Sequence, residues 1–210
     1  METRILILRH GQSVANIEKT WSGRRDVELS ELGIKQAEFA AKMLKNEKID
    51  KVFSSTLKRA YRTALPFAKD RGLDVVTIPD FVEWDGGKWE GVPFDDVPKR
   101  FPEEYRLWYE EPSKLVLGES AGDVRKRVGR ALDRLYEEIK GLTVLLVSHG
   151  GVIKTIPSYF AGNSDEVLDK TPIPTNCSIT EVVYTDGRGQ ISRYSDDSYL
   201  GDFKTGAFVI

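Results

Sequence analysis

The chain has 210 residues, 40% hydrophobic and 10% aromatic, enough to bury a sizeable core as one domain or as one domain with a large insertion. Its 31 basic and 33 acidic side chains leave a net charge of −2, which argues against a strongly basic nucleic-acid binder and against an acidic disordered tail. One cysteine, Cys177, excludes an intramolecular disulfide and a cysteine-based zinc site, and no apolar run approaches the roughly 18 residues that span a bilayer.

In chain order, residues 4–8 are a short run of branched apolar side chains that reads as a buried strand, broken by His10-Gly11. A helix over about 30–46 follows, with Ser30 as its N-cap and Ala37, Ala40, Ala41 and Leu44 at helical spacing. Residues 51–54 form a second strand. Ser55 is expected to cap a helix with Leu57, Ala60, Tyr61, Ala64, Leu65 and Ala68 on its apolar face. Residues 74–78 are a third strand. Residues 79–119 then hold five of the nine prolines and three of the four tryptophans, without a sustained period, and so predict an irregular insertion with one short helix near 103–109. Its aromatics would either line a substrate mouth or form a small accessory core.

Ser120, with Asp123 three residues on, opens an amphipathic helix whose stripe is Val124, Val128, Ala131, Leu132, Leu135 and Ile139. Arg125, Lys126, Arg127, Arg130 and Arg134 are read as its solvated face. Residues 142–147 are the strongest strand, ended by Ser148-His149-Gly150-Gly151, with a helix over about 152–160 behind it. Two further strands, 178–184 and 190–194, join through a turn at 186–189. Alternating strands and helices predict a three-layer α/β fold with a mostly parallel mixed sheet of about six strands and an insertion between the third and fourth.

In such sheets ligands bind beyond the carboxyl ends of parallel strands. Three strands end here in polar, helix-opening segments, at Arg9-His10-Gly11, at Ser54-Ser55 through Arg59, and at Ser148-His149-Gly150. They bring the only two histidines together with two arginines and several helix N-termini, which predicts an anion pocket containing two imidazoles. A metal is disfavoured, because it needs three or four ligands and the guanidinium groups would repel it. General-base action is open. Nucleophilic catalysis fits better, because neighbouring cations keep an imidazole neutral.

The residues carry a resemblance. Arg9-His10-Gly11 with Asn16, the block from Asp26 to Ala37, Ser54-Ser55 with Arg59-Ala60 and Thr63-Ala64, and Glu83 with Gly87, Trp89 and Gly91 occur in that order. Gly118-Glu119-Ser120, Val147 to Gly151 and Asp196 to Leu200 follow. Together they resemble the histidine phosphatase superfamily, with its phosphoglycerate-mutase-like fold. The resemblance implies that His10 is the nucleophile and Glu83 the proton donor to the leaving oxygen. Arg9, Arg59 and His149 would surround the phosphate, assisted by Asn16 and the Gly150 amide, and Gln12, Ser22 and Gly23 would touch substrate. Asp85 is a rival proton donor. Val82 and Trp84 depart from the arginines that phosphatases often carry before the acid and mutases after it.

These observations favour a metal-independent phosphomonoester hydrolase forming a phosphohistidine on a small phosphorylated metabolite. A phosphoglycerate mutase is the first alternative and a non-catalytic phosphate-binding module the second. No cofactor, nucleic acid or membrane is implied, and monomer and homodimer are both open. The first residues run directly into a strand with no room for a signal peptide, so a soluble cytoplasmic protein acting as a single domain over 1–210 is expected. The apolar tail from 203 to 210 would pack on its own domain or on a partner.

Overall fold

The structure, a computed structural model, describes residues 2–205. Six strands form one sheet in the order β3-β2-β4-β1-β5-β6. They are β1 (Thr3–Arg9), β2 (Lys51–Ser54), β3 (Val75–Thr77), β4 (Thr143–Ser148), β5 (Ile179–Thr185) and β6 (Arg188–Asp196). The four strands from β3 to β1 run parallel, and β5 and β6 complete one edge antiparallel. The central strands are apolar on both sides because both faces are covered. Ile5, Ile7, Val144 and Leu146 join one core, while Leu6, Leu8, Leu145 and Val147 join the other.

The helices are α1 (Val14–Ile17), α2 (Glu31–Met43), α3 (Lys58–Arg71), α4 (Val97–Arg100), α5 (Pro102–Glu110), α6 (Ala121–Glu138), α7 (Gly150–Phe160) and α8 (Asp165–Lys170). The second core holds side chains of α2 and α3, and the first holds those of α6, α7 and the insertion. Ser30 caps α2 by accepting from the Gly33 amide, and Ser120 with Asp123 closes a full capping box on α6. None of the described helices is long and apolar enough to cross a membrane.

Between β3 and β4 the chain makes four short 3-10 turns, α4 and α5 before it enters α6. Trp84, Trp89 and Trp108 are buried there around Trp21, with ring centroids 4.9 Å apart for Trp21–Trp89 and Trp21–Trp108. The aromatics of the insertion therefore extend the first core and do not form a separate one. Two of them, Trp84 and Trp108, together with Trp21 from outside the insertion, also line a small cleft with Glu83, Gly151 and Ile173.

Three helix expectations fail. Leu57, not Ser55, is the N-cap of α3, and Ser55 instead turns its hydroxyl onto His149. The buried face of α3 is Arg59, Ala60, Thr63, Ala64, Phe67 and Ala68, leaving Tyr61 and Leu65 exposed. On α6, Arg127 and Arg125 are not solvated; their side chains are 13% and 12% exposed and engaged in hydrogen bonds. Helix α8 and the turn over Ser198–Phe203 were not foreseen. Phe203 lies 4.9 Å from Phe39 on α2, while 206–210 of the apolar tail fall outside the described residues.

Candidate active site

Because β4 lies between β1 and β2, the carboxyl ends of these three strands are adjacent. His10 follows β1, Ser55 follows β2 and His149 follows β4, so residues far apart in sequence converge at one sheet edge. The two imidazoles lie 5.2 Å apart at 59°, and neither is more than 3% exposed.

Neighbouring groups define the tautomer of His10. Nδ1 lies 2.7 Å from the Gly11 carbonyl, which can only accept, so Nδ1 carries the proton. Nε2 lies 3.3 Å from Arg59 Nε, which can only donate, so Nε2 presents its lone pair. Burial holds the His10 pKa well below its usual value, and Arg59 and Arg9 push it further down. His149 is lowered in the same way, by burial first and then by Arg59, His10 and Arg9. Both rings are therefore neutral near pH 7.

Arg59 sits at the start of α3, completely buried. Its Nη1 and Nη2 donate to the Arg25 and Gly23 carbonyls at 2.8 and 2.7 Å. Thr63, one turn on, bridges the Arg59 carbonyl and the Gly11 amide, which ties α3 to the turn behind His10. Arg9 donates to the Pro174 carbonyl, and its Nε finds no partner among the described residues. Burial lowers both guanidinium groups to about 10, so both stay charged at neutral pH.

Gly150 and Gly151 form the first turn of α7, with His149 as N-cap. The Gly151 amide donates to Glu83 Oε2 at 3.2 Å and the Trp84 amide to Oε1 at 2.7 Å. A Cβ on Gly151 would stand 2.7 Å from Glu83 Oε1, so only glycine lets the carboxyl approach this helix end. Glu83 is 6% exposed. Asp85 turns elsewhere: its Oδ1 accepts from the Gly87 amide at 2.9 Å, and Oδ2 lies 3.7 Å from Arg24.

The other expected contacts are distributed unevenly. Gly23 meets the site through its carbonyl on Arg59, and Ser22 beside it is buried. Asn16 closes the capping box of α1, its Oδ1 accepting from the Ser13 amide at 3.0 Å and from Asn176 at 3.4 Å. The side-chain oxygen of Gln12 accepts from Ser30 at 2.8 Å, at the head of α2. Sequence reasoning missed Asn176, which donates to the His10 carbonyl at 3.0 Å, and the Pro174 carbonyl on Arg9. Backbone acceptors and a lone asparagine leave no readable pattern. Among the described residues no group of three or more His, Cys, Asp or Glu side chains could hold a metal ion.

The arrangement combines a neutral, lone-pair-bearing imidazole, two buried guanidinium groups, a helix N-terminus and a carboxyl group. It can bind a tetrahedral oxyanion and exchange a proton beside it.

A protein described as bifunctional from Mycobacterium tuberculosis is 38% identical over 201 residues, covering 94% of this chain but 55% of its own length. The chain thus spans little more than half of that relative. A metal-independent phosphoserine phosphatase of Arabidopsis thaliana is 32% identical over 205 residues, covering 94% of this chain and 83% of its own. The solved structure of a mycobacterial glucosyl-3-phosphoglycerate phosphatase superposes with a TM-score of 0.85 at 28% identity, covering 94% of this chain and 100% of the other. The model of the histidine phosphatase superfamily (branch 1) matches residues 5–197, and with these residues at the edge of this sheet the chain belongs to that superfamily.

Proposed function

We propose that the protein hydrolyses a small phosphate monoester through a phosphohistidine on His10. The observation that carries this reading is the state of His10: neutral, with Nδ1–H committed to a carbonyl and Nε2 presented beside Arg59. In the first step the Nε2 lone pair attacks phosphorus. The bond from phosphorus to the ester oxygen breaks, and its electron pair leaves with that oxygen, which takes the proton of the Glu83 carboxyl. Arg9, Arg59 and His149 face the equatorial oxygens, where charge spreads in the transition state. In the second step a water attacks phosphorus and gives its proton to Glu83. The N–P bond breaks, its electron pair returns to Nε2, and orthophosphate departs.

Positive charge in this scheme comes from guanidinium groups, so no metal is assigned a step. The relatives named above for phosphoserine and glucosyl-3-phosphoglycerate support a small phosphorylated metabolite as substrate. The residue after the acid supports hydrolysis over mutase transfer. Trp84 is buried with its indole N–H on the Glu119 carbonyl at 2.9 Å, so that position offers no cation for a second anionic group. The expected small-molecule partner, cytoplasmic location and single catalytic unit belong to the same reading.

Rapid quenching with labelled substrate in the presence of a chelator tests it. Label should appear as an acid-labile, base-stable phosphoramidate, lost in His10→Ala. Label on a serine or aspartate, or formed only when a divalent ion is restored, would overturn the mechanism.

A further inference from the structure

The Gly118-Glu119-Ser120 segment and the inward arginine of α6 have no part in the chemistry above, yet they converge on Glu83. Residues 82–86 carry no helix or strand, so no backbone ladder fixes the acid in place. The Gly118 and Glu119 amides donate to the Asp85 carbonyl, and side chains supply most of the remaining hold. Arg127 Nη1 donates to the Asp80 and Val82 carbonyls at 2.6 and 2.9 Å. Its Nε and Nη2 donate to the two carboxylate oxygens of Glu119 at 3.1 and 2.9 Å. Glu119 Oε2 also meets Arg24 Nη2 at 2.8 Å and the Asp85 amide at 3.2 Å. Arg24 Nε in turn donates to the Glu83 carbonyl at 3.3 Å.

One carboxylate thus links two arginines, and between them the three side chains grip the main chain at residues 80, 82, 83 and 85. The guanidinium fork suits this task, since it serves carbonyls and a carboxylate at once, which a lysine ammonium cannot do in a fixed geometry. The grip bears on the backbone and, through Arg24, on the Asp85 carboxylate, and leaves the Glu83 carboxyl to the Trp84 and Gly151 amides.

We infer that Arg127, Glu119 and Arg24 are positioning residues that hold the Glu83 carboxyl where it meets the leaving oxygen. The inference rests on the reading of Glu83 as proton donor. A general acid works only within hydrogen-bond reach of the oxygen it protonates, and small displacements of a reacting group are costly. Loosening the clamp should therefore reproduce a weakened form of the defect caused by removing the acid. A merely structural role would slow every substrate alike.

The experiment measures single-turnover phosphorylation of His10 in the full chain, with phosphoserine as the alkyl ester and nitrophenyl phosphate as the ester whose leaving group scarcely needs a proton. Glu83→Gln should slow the alkyl ester by roughly 10²–10⁴-fold and the aryl ester far less. Glu119→Gln and Arg24→Gln should slow the alkyl ester by about 10–10²-fold and the aryl ester by less than about threefold. In the double variant Glu83→Gln/Glu119→Gln the second change should add nothing, because it acts through the first. Equal losses on both esters, or additive losses in the double variant, overturn the positioning role. If Glu83→Gln itself shows no selectivity, the acid assignment fails and the inference falls with it. Should Glu119→Gln not fold, Arg24→Gln decides, since the Arg24 side chain is 38% exposed and its loss leaves the core intact.

Discussion

Acidification from pH 7 to pH 5 should destabilise this protein through its two histidines. They are the only histidines in the chain, both are buried, and both have pKa values held well below the usual one by burial and by Arg59 and Arg9. An unfolded histidine titrates near 6.5, so as pH falls the unfolded chain takes up protons that the folded chain refuses. The stability linked to each ring is present above about pH 6.5 and is lost as pH drops below it. Because the folded chain can at most refuse the proton altogether, the unfolded-state value near 6.5 caps the loss between pH 7 and pH 5 at about 2 kcal/mol per ring, or about 4 kcal/mol for both. In a protein of this size that cap corresponds to a fall in Tm of roughly 8–16 °C. The carboxylates do not obscure this window. Asp50, lowered chiefly by the Thr143 amide, and Asp196, lowered chiefly by Ser198, lose their contributions only as pH falls through the ordinary carboxylate range and below. Thermal unfolding from pH 7.5 to 5, followed by circular dichroism, reads the slope directly. His149→Asn should halve it and His10→Asn/His149→Asn should abolish it. A flat profile in the native protein, or a full slope in the double variant, would refute the argument that buried, neutral imidazoles form this site.

Two further outcomes follow from the same charges. Tungstate, a dianion, should offset the arginine field and raise the histidine pKa values. Calorimetric titration at pH 6 in two buffers of different ionisation enthalpy should therefore show net proton uptake on binding, and proton release would contradict the assignment. Gly23→Ala should weaken tungstate inhibition by about tenfold, or ~1.4 kcal/mol. Gly23 has φ +47°, strained for alanine, and a Cβ there would stand 2.2 Å from Glu90 Oε1, which accepts from the Arg24 amide, so the substitution loosens the turn whose carbonyl orients Arg59. Unchanged inhibition would show that the carbonyl does not set the guanidinium.

The strands were legible because β1, β2 and β4 are short branched apolar runs cut off by polar residues, and the histidines stood out because each follows such a run and precedes a glycine. Their meeting at one sheet edge was expected from the strand ends, but the strand order that sets them side by side was not legible. It depends on β4 pairing between β1 and β2, contacts between segments about 140 and about 90 residues apart that leave no local trace. Helix α3 was misread for a related reason. It turns Arg59 and Thr63 toward the site, so its buried stripe is partly polar, and the apolar period shifts onto Tyr61 and Leu65, which face outward. Arg127 was misread because five basic residues on α6 look alike until the helix is seen to pass beneath the Glu83 loop. In each case tertiary placement overrode the pattern expected of a simple amphipathic helix.

The partners of the buried arginines explain why such a costly arrangement would suit the proposed chemistry. A guanidinium removed from water needs compensation, and a carboxylate would supply the most. Arg59 instead has the Gly23 and Arg25 carbonyls, and Arg9 has the Pro174 carbonyl. A carbonyl dipole orients the guanidinium and meets part of its hydrogen-bonding demand without cancelling its charge. A carboxylate in the same place would neutralise the cation and compete with a phosphate for it. Glu83 is the carboxylate felt most strongly by both arginines, yet its oxygens accept from the Trp84 and Gly151 amides. The site therefore keeps two cations undischarged and two imidazoles neutral, a state that burial makes expensive and that the dianionic phosphoryl group of the proposed substrate would relieve.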